Sequence, residues 1–161
     1  MKRVVADAVS DLTVEVFRLN GELLAAGDAL VADIGLTSAR WQVLGAIALS
    51  PAPLPIAHLA RNMGLARQSV QRIANELEAE GMLRFAPNPH HQRAKLVLLT
   101  VRGRKAFDAA IARWQPLAAA LGRSQKPATI DGATEMLRSV RRRLEDGAAN
   151  IGDRHAMEKQ N

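Results

Sequence analysis

LPIAHLARNMGLARQSVQRIANELEAEGMLRFAPNPHHQRAKLVLLT, residues 54–100, is the stretch whose reading decides the fold. Pro55 suits the first position of a helix, where its missing N–H costs nothing. That helix, Ile56 to Met63, should close at Gly64, a residue able to take the left-handed conformation that ends helices. A second helix follows at once, from about Leu65 to Glu80. On a wheel of 100° per residue its Val70, Ile73, Ala74 and Leu77 fall together, and Arg67, Gln68, Gln71, Arg72 and Asn75 occupy the other face. Gly81 ends it. Two extended segments, Met82 to Ala86 and Lys95 to Thr100, then flank Pro87-Asn88-Pro89-His90-His91-Gln92-Arg93-Ala94. Prolines on both sides of an asparagine make a turn, not a central strand. The order is helix, turn, helix, basic hairpin.

The charges of the second helix run against its backbone dipole. Arg67 and Arg72 lie in the first half, and Glu76, Glu78 and Glu80 in the last turns. The dipole favours acids first and bases last, by roughly 0.3–1 kcal/mol per charge. An order that costs stability makes sense if the N-terminal half enters an anionic groove, since phosphates then favour the arginines and repel the acids behind them. A polar helix face taken alone is more often only solvated. The turn before it, the hairpin after it and the inverted charges tip the balance towards duplex DNA. Arg67, Gln68, Ser69, Gln71, Arg72 and Asn75 are the candidate readers, because Gln and Asn pair bidentately with adenine and Arg with guanine. His90, His91, Gln92, Arg93 and Lys95 of the hairpin are the candidate groove and phosphate contacts.

Outward from this centre the chain is helical. Val5, Val9, Leu12, Val16, Leu19, Leu23, Ala26 and Leu30 alternate in steps of four and three, a seam suited to packing on another helix. Thr37 or Ser38 can cap a helix carrying Trp41, Val43, Leu44 and Ile47, and Pro51 to Pro55 reads as a rigid turn. Thr100 can cap another, in which Phe107, Ala110, Ile111, Trp114, Leu117 and Leu121 recur; Pro116 should kink or break it. Ile130, Ala133, Leu137, Val140 and Leu144 mark a last helix. Beyond Gly147 the pattern dissolves, so residues 147–161 read as a frayed tail.

Composition narrows the function. The 161 residues suit one domain, and the net charge of +6 favours anionic partners. Only 3% of residues are aromatic, too few for the stacking platforms of single-strand readers. The absence of cysteine removes disulfides, thiolate metal sites and thiol sensing. No apolar run nears the ~18 residues of a membrane span, and an acid at Asp7 interrupts any secretory core, so the expected location is cytoplasmic, with no membrane contact. No catalytic constellation is present, so an enzyme is not expected, nor any cofactor. His90 and His91 are neighbours on a turn whose side chains diverge, His58 and His155 lie far off in sequence, and no metal site is expected. Trp41, Phe17 and Trp114 read first as packing, with Trp41 the candidate for a ligand pocket. Arg138, Arg141, Arg142 and Arg143 read as a solvated or inter-subunit cluster.

The succession of turn, polar-faced helix and basic hairpin resembles the MarR family of bacterial transcription regulators over roughly residues 7–146. The most specific part is Leu77 to Gly103, where a Leu-Glu-x-Glu-Gly helix end leads through Pro-Asn-Pro to Arg93, Lys95 to Thr100 and Gly103; Leu36-Thr37 and Trp41-x-Val-Leu44 add support. The resemblance implies a mainly α fold with a small β-wing. A winged helix-turn-helix lobe at about 36–100 would join dimerisation helices at about 5–31 and 101–146. It further implies a homodimer on a pseudo-palindromic operator, with half-sites about one helical turn apart, recognition helices in the major groove and wings in the minor groove. Release would come through a small molecule bound between the dimer helices and the DNA-binding lobes. Two positions depart from the family. His91-Gln92 stands where an acid is usual before Arg93, and Phe85 where an Arg is frequent. If the lost charges once paired, the wing should be looser. A winged-helix adaptor with weakened or lost DNA binding is the alternative, and a non-specific nucleoid protein a third.

Overall fold

Among the described residues the chain builds six α-helices and one small sheet. The structure is a computed structural model describing residues 4–91 and 93–158, and side chains as far as Gly147. In order, the elements are α1 (Val5–Val31), a 3-10 turn (Ala32–Ile34), α2 (Ser38–Ala48), β1 (Leu54–Pro55), α3 (Ile56–Met63), α4 (Arg67–Ala79), β2 (Leu83–Ala86), β3 (Leu96–Leu99), α5 (Val101–Leu121) and α6 (Pro127–Glu158). The sheet is antiparallel in the order β1-β3-β2, with Leu83 opposite Leu99 and Ala86 opposite Leu96. This is the winged-helix arrangement expected from the sequence. β1 was not expected: Leu54 and Pro55 pair with Val97 and Leu96. Proline is tolerated there because β1 is an edge strand. Pro55 therefore stands just before α3, in an extended conformation, rather than as its first residue.

Local chemistry places each boundary. Gly35, Gly64 and Gly81 all have φ near +70°, the left-handed region open to glycine. Each closes a helix end with paired hydrogen bonds of the Schellman type. At α3 the Gly64 N–H donates to the Arg61 carbonyl and the Leu65 N–H to Ala60; at α4 Gly81 donates to Glu78 and Met82 to Leu77. Residues 64 and 65 are consumed by that turn, so α4 begins at Arg67, two residues later than the sequence pattern predicts. Thr37 caps α2 by accepting the Arg40 N–H, and the Asp28 carboxylate of α1 accepts the Ser38 N–H at 2.6 Å. Thr100 caps α5: its Oγ1 accepts the Gly103 N–H and donates to the Gly81 carbonyl at 2.7 Å.

The core lies beneath α4 and the sheet. Leu44 of α2, Leu59 of α3, Val70 and Leu77 of α4, Leu83 of β2, Val97 of β3 and Phe107 of α5 are buried together, with Phe85 packed against them. This fixes which face of α4 turns outward.

By packing, the chain forms two compact units, Met1–Pro116 and Leu117–Asn161. The boundary falls at Pro116, inside α5, which is helical on both sides of it. Proline neither breaks the helix nor ends it, but it removes one intrahelical hydrogen bond. α6 continues past Gly147, where the apolar spacing ends, to Glu158; residues 159–161 of the expected tail lie outside the described residues. Within the first unit, the α1 seam is largely uncovered: Val5, Val16, Leu19 and Leu23 are exposed, and Phe17 beside them is 72% exposed. Within the second, Ile130, Leu137 and Leu144 of α6 are exposed as well.

Candidate nucleic-acid interface

α4 divides cleanly by face. Val70, Ile73, Ala74 and Leu77 are buried, whereas Arg67, Gln68, Ser69, Arg72 and Asn75 are exposed and Gln71 is half-buried. All the α4 residues singled out from the sequence therefore lie off the core. The N-terminus of α4 has no side-chain cap and no acid in its first turn. Its first backbone N–H groups are thus open to a phosphate, which the dipole also favours.

The wing comes to the same place. A groove of about 330 Å³ is lined by Arg67, Gln71, Asn75 and Glu78 of α4, by Phe85, and by Arg93, Ala94 and Lys95 of the wing. A second groove, of about 660 Å³, shares Arg67 and Arg93 and adds His58 of α3 with Asn88, His90 and His91. Arg67 and Arg93, 26 positions apart in the chain, thus meet across one concave surface. His58 joins the two wing histidines, which its distance in sequence gave no hint of. Among the described residues no group of three or more His, Asp or Glu side chains is placed to hold a metal. Gln92 lies outside the described residues.

Sequence reasoning missed Asn88. Its Nδ2 donates to the Ala94 carbonyl at 3.0 Å and its Oδ1 accepts the His90 N–H at 3.0 Å, so one side chain ties both arms of the wing. The Asn between two prolines was the available signal, since Asn commonly bonds the backbone two residues on. Asn88 thus ties the wing loop together, and Phe85 is half-buried against the core.

The acids of α4 have partners the sequence did not reveal. Arg72 donates to Glu76 at 2.6 Å, both well exposed, and Gln71 donates to Asn75 at 2.8 Å. Glu80 pairs with Arg40 of α2, whose side chain is only 15% exposed. Glu76 and Glu80 therefore act within the chain, not only as charges held back from phosphate. An exposed pair one turn apart is worth about 0.3–0.5 kcal/mol. Arg72 is therefore only weakly held by Glu76. Arg138, Arg141 and Arg142 of α6 pair in the same way with Glu135 and Glu145 along their own helix.

Trp41 of α2 lies against Trp114 of α5, ring centroids 5.9 Å apart and planes at 59°. The two rings wall a cleft of about 480 Å³ together with Ser38, Gln42, Met63 and Phe107. Phe17 is not among the residues that line it.

A winged-helix lobe with a cationic, uncapped reading helix and a basic wing defines the class of DNA-binding transcription regulators. The MarR family model matches residues 34–94. The protein Rv2011c of Mycobacterium tuberculosis is 34% identical over 135 residues, covering 84% of this chain and 93% of that one. The transcriptional activatory protein BadR of Rhodopseudomonas palustris is 28% identical over 164 residues, covering 92% and 93%. Among solved structures, CouR of Rhodococcus jostii bound to p-coumaroyl-CoA superposes with a TM-score of 0.72 at 22% identity, covering 86% of this chain and 95% of that one. The M. tuberculosis regulator MosR in complex with DNA superposes at 0.66 and 23%, covering 80% and 95%. The chain belongs to the MarR family. No helix among the described residues is long and apolar enough to cross a membrane.

Proposed function

We propose that this chain is a sequence-specific duplex DNA-binding repressor that acts as a homodimer and is released by a small molecule in the Trp41–Trp114 cleft. One observation carries the DNA reading: Arg67 of the reading helix and Arg93 of the wing flank a single groove that Gln71, Asn75 and Lys95 also line. In this reading α4 enters the major groove, with Arg67, Gln68, Ser69, Gln71, Arg72 and Asn75 on bases and phosphates. Arg93 reaches the flanking minor groove, and Lys95, His90 and His91 add charge near the phosphates. That a similar structure holds DNA and another a coumaroyl thioester supports both kinds of partner. The homodimer rests on the uncovered apolar side chains of α1 and α6. BadR carries an activator's name, so the sign of regulation rests on the family resemblance alone.

The test is fluorescence anisotropy with duplex DNA from upstream of the chain's own gene, measured over a range of salt. Binding should fall linearly on a log–log plot of affinity against salt. Arg72→Ala should cost about 1–3 kcal/mol and relax specificity, whereas a phosphate-bound residue would lower the salt slope by about one unit. Equal affinity for scrambled duplex would reject sequence-specific reading. No binding to any genomic duplex would favour the protein-interaction adaptor.

A further inference from the structure

The cleft beneath Trp41 and Trp114 has a chemistry that narrows what can occupy it. Among the described residues no Lys, Arg, His, Asp or Glu side chain lines it. Its walls are apolar apart from Ser38 and Gln42 of α2. The two tilted indoles pack on each other and together present an aromatic wall to the cleft, against which a flat ring can pack. Ser38 is only 5% exposed. Its hydroxyl accepts from Gln42 Nε2 at 3.1 Å and finds no acceptor for its own hydrogen among the described residues. That hydroxyl is also held in place. The Ser38 N–H is fixed by Asp28, and Gly27 of α1 abuts Ser38 so closely that a Cβ there would overlap its Oγ.

We infer that this cleft selects uncharged, flat aromatic molecules carrying one hydrogen-bond acceptor, and discriminates against their carboxylate counterparts. The inference rests on the proposed role of the cleft as an effector site and adds the ligand class. Water that a carboxylate gives up against this wall is replaced by no cation, whereas a neutral carbonyl gives up less and gains the Ser38 hydrogen bond. The net positive charge of the chain draws anions to its surface, but the cleft wall offers them no counter-ion.

Both tryptophans of the chain line the cleft, so intrinsic fluorescence reports its occupancy with no DNA present. The probes are 4-isopropylbenzamide and 4-isopropylbenzoate, alike in shape and differing in charge at neutral pH. Titration of the full-length protein, by tryptophan quenching and calorimetry, should show saturable binding of the amide at least about tenfold tighter than that of the carboxylate. Ser38→Ala should weaken the amide several-fold. Gln42→Arg, which sets a cation at the wall, should shift the preference towards the carboxylate while α2 stays folded by circular dichroism. Equal or tighter binding of the carboxylate by the wild-type protein, or no saturable binding of either probe, overturns the inference. If the amide binds with this selectivity and yet fails to release the protein from DNA, the ligand class stands and the release mechanism fails.

Discussion

Gly103 occupies the first turn of α5, where an added Cβ would run into the Met82 carbonyl oxygen and crowd Leu99. That carbonyl already receives the Thr100 N–H, so the start of α5 and the base of β2 cannot part without breaking the cap. Gly103→Ala should lower stability by about 1–3 kcal/mol, the usual cost of overpacking, read as a lower urea midpoint at unchanged slope. Asn88 makes a contrasting case, because its two hydrogen bonds hold a surface wing and no core. Asn88→Ala should leave the urea midpoint nearly unmoved while weakening DNA binding several-fold. A drop in stability with unchanged DNA affinity would show that the side chain braces the fold and not the wing. Neither role can be read from composition. Gly103 was legible as part of a motif, but its reason is a close approach between two segments 21 residues apart.

Between elements, the 3-10 turn after α1 is tied to α5 by Asp33 and Arg113. The guanidinium donates through Nε at 3.1 Å and through a terminal nitrogen at 2.6 Å to the two carboxylate oxygens. The hydrogen bond from Arg113 holds the Asp33 carboxyl below the ordinary aspartate range, and Arg113 is raised in turn. A lowered carboxyl pKa contributes stability that is fully present above the unfolded value and is lost as pH falls through the folded one. The contribution of this pair should therefore hold near neutrality and disappear below about pH 4. Asp33→Asn should flatten the acid limb of a thermal-melt profile and have little differential effect on the slope near pH 7. A mutant profile parallel to wild type down to acid pH would show that the pair is not coupled to folding. The helices themselves were legible from spacing and caps. Their partners in charge were not, since Asp33 and Arg113 stand 80 residues apart and Arg40 and Glu80 stand 40 apart.

At the scale of the whole molecule, the apolar side chains left on α1 and α6 are the dominant unsatisfied feature. Phe17 is 72% exposed along a helix that also exposes Val16, Leu19 and Leu23, an apolar surface of the kind that marks interaction sites. If these surfaces meet a second copy, folding and association are linked, and the thermal midpoint should rise with protein concentration. Phe17→Glu should remove that dependence and shift sedimentation towards the monomer. It should also weaken operator binding far more than binding to a single half-site, because paired reading helices share one affinity. A concentration-independent midpoint for the wild type would reject the obligate dimer.

Sequence alone determined where the main helices lie, the glycines Gly35, Gly64 and Gly81 that close three helix ends, the polar face of α4 and the basic wing, because these depend on neighbours within a few residues. The edge strand β1 escaped it, since two residues carry no period. The meeting of Arg67 with Arg93, the pairing of Trp41 with Trp114 and the ion pairs of Arg40 and Arg113 were decided only by the tertiary structure. Each joins segments that the chain brings together by burying its core, and no local pattern encodes which distant charge or ring will arrive opposite.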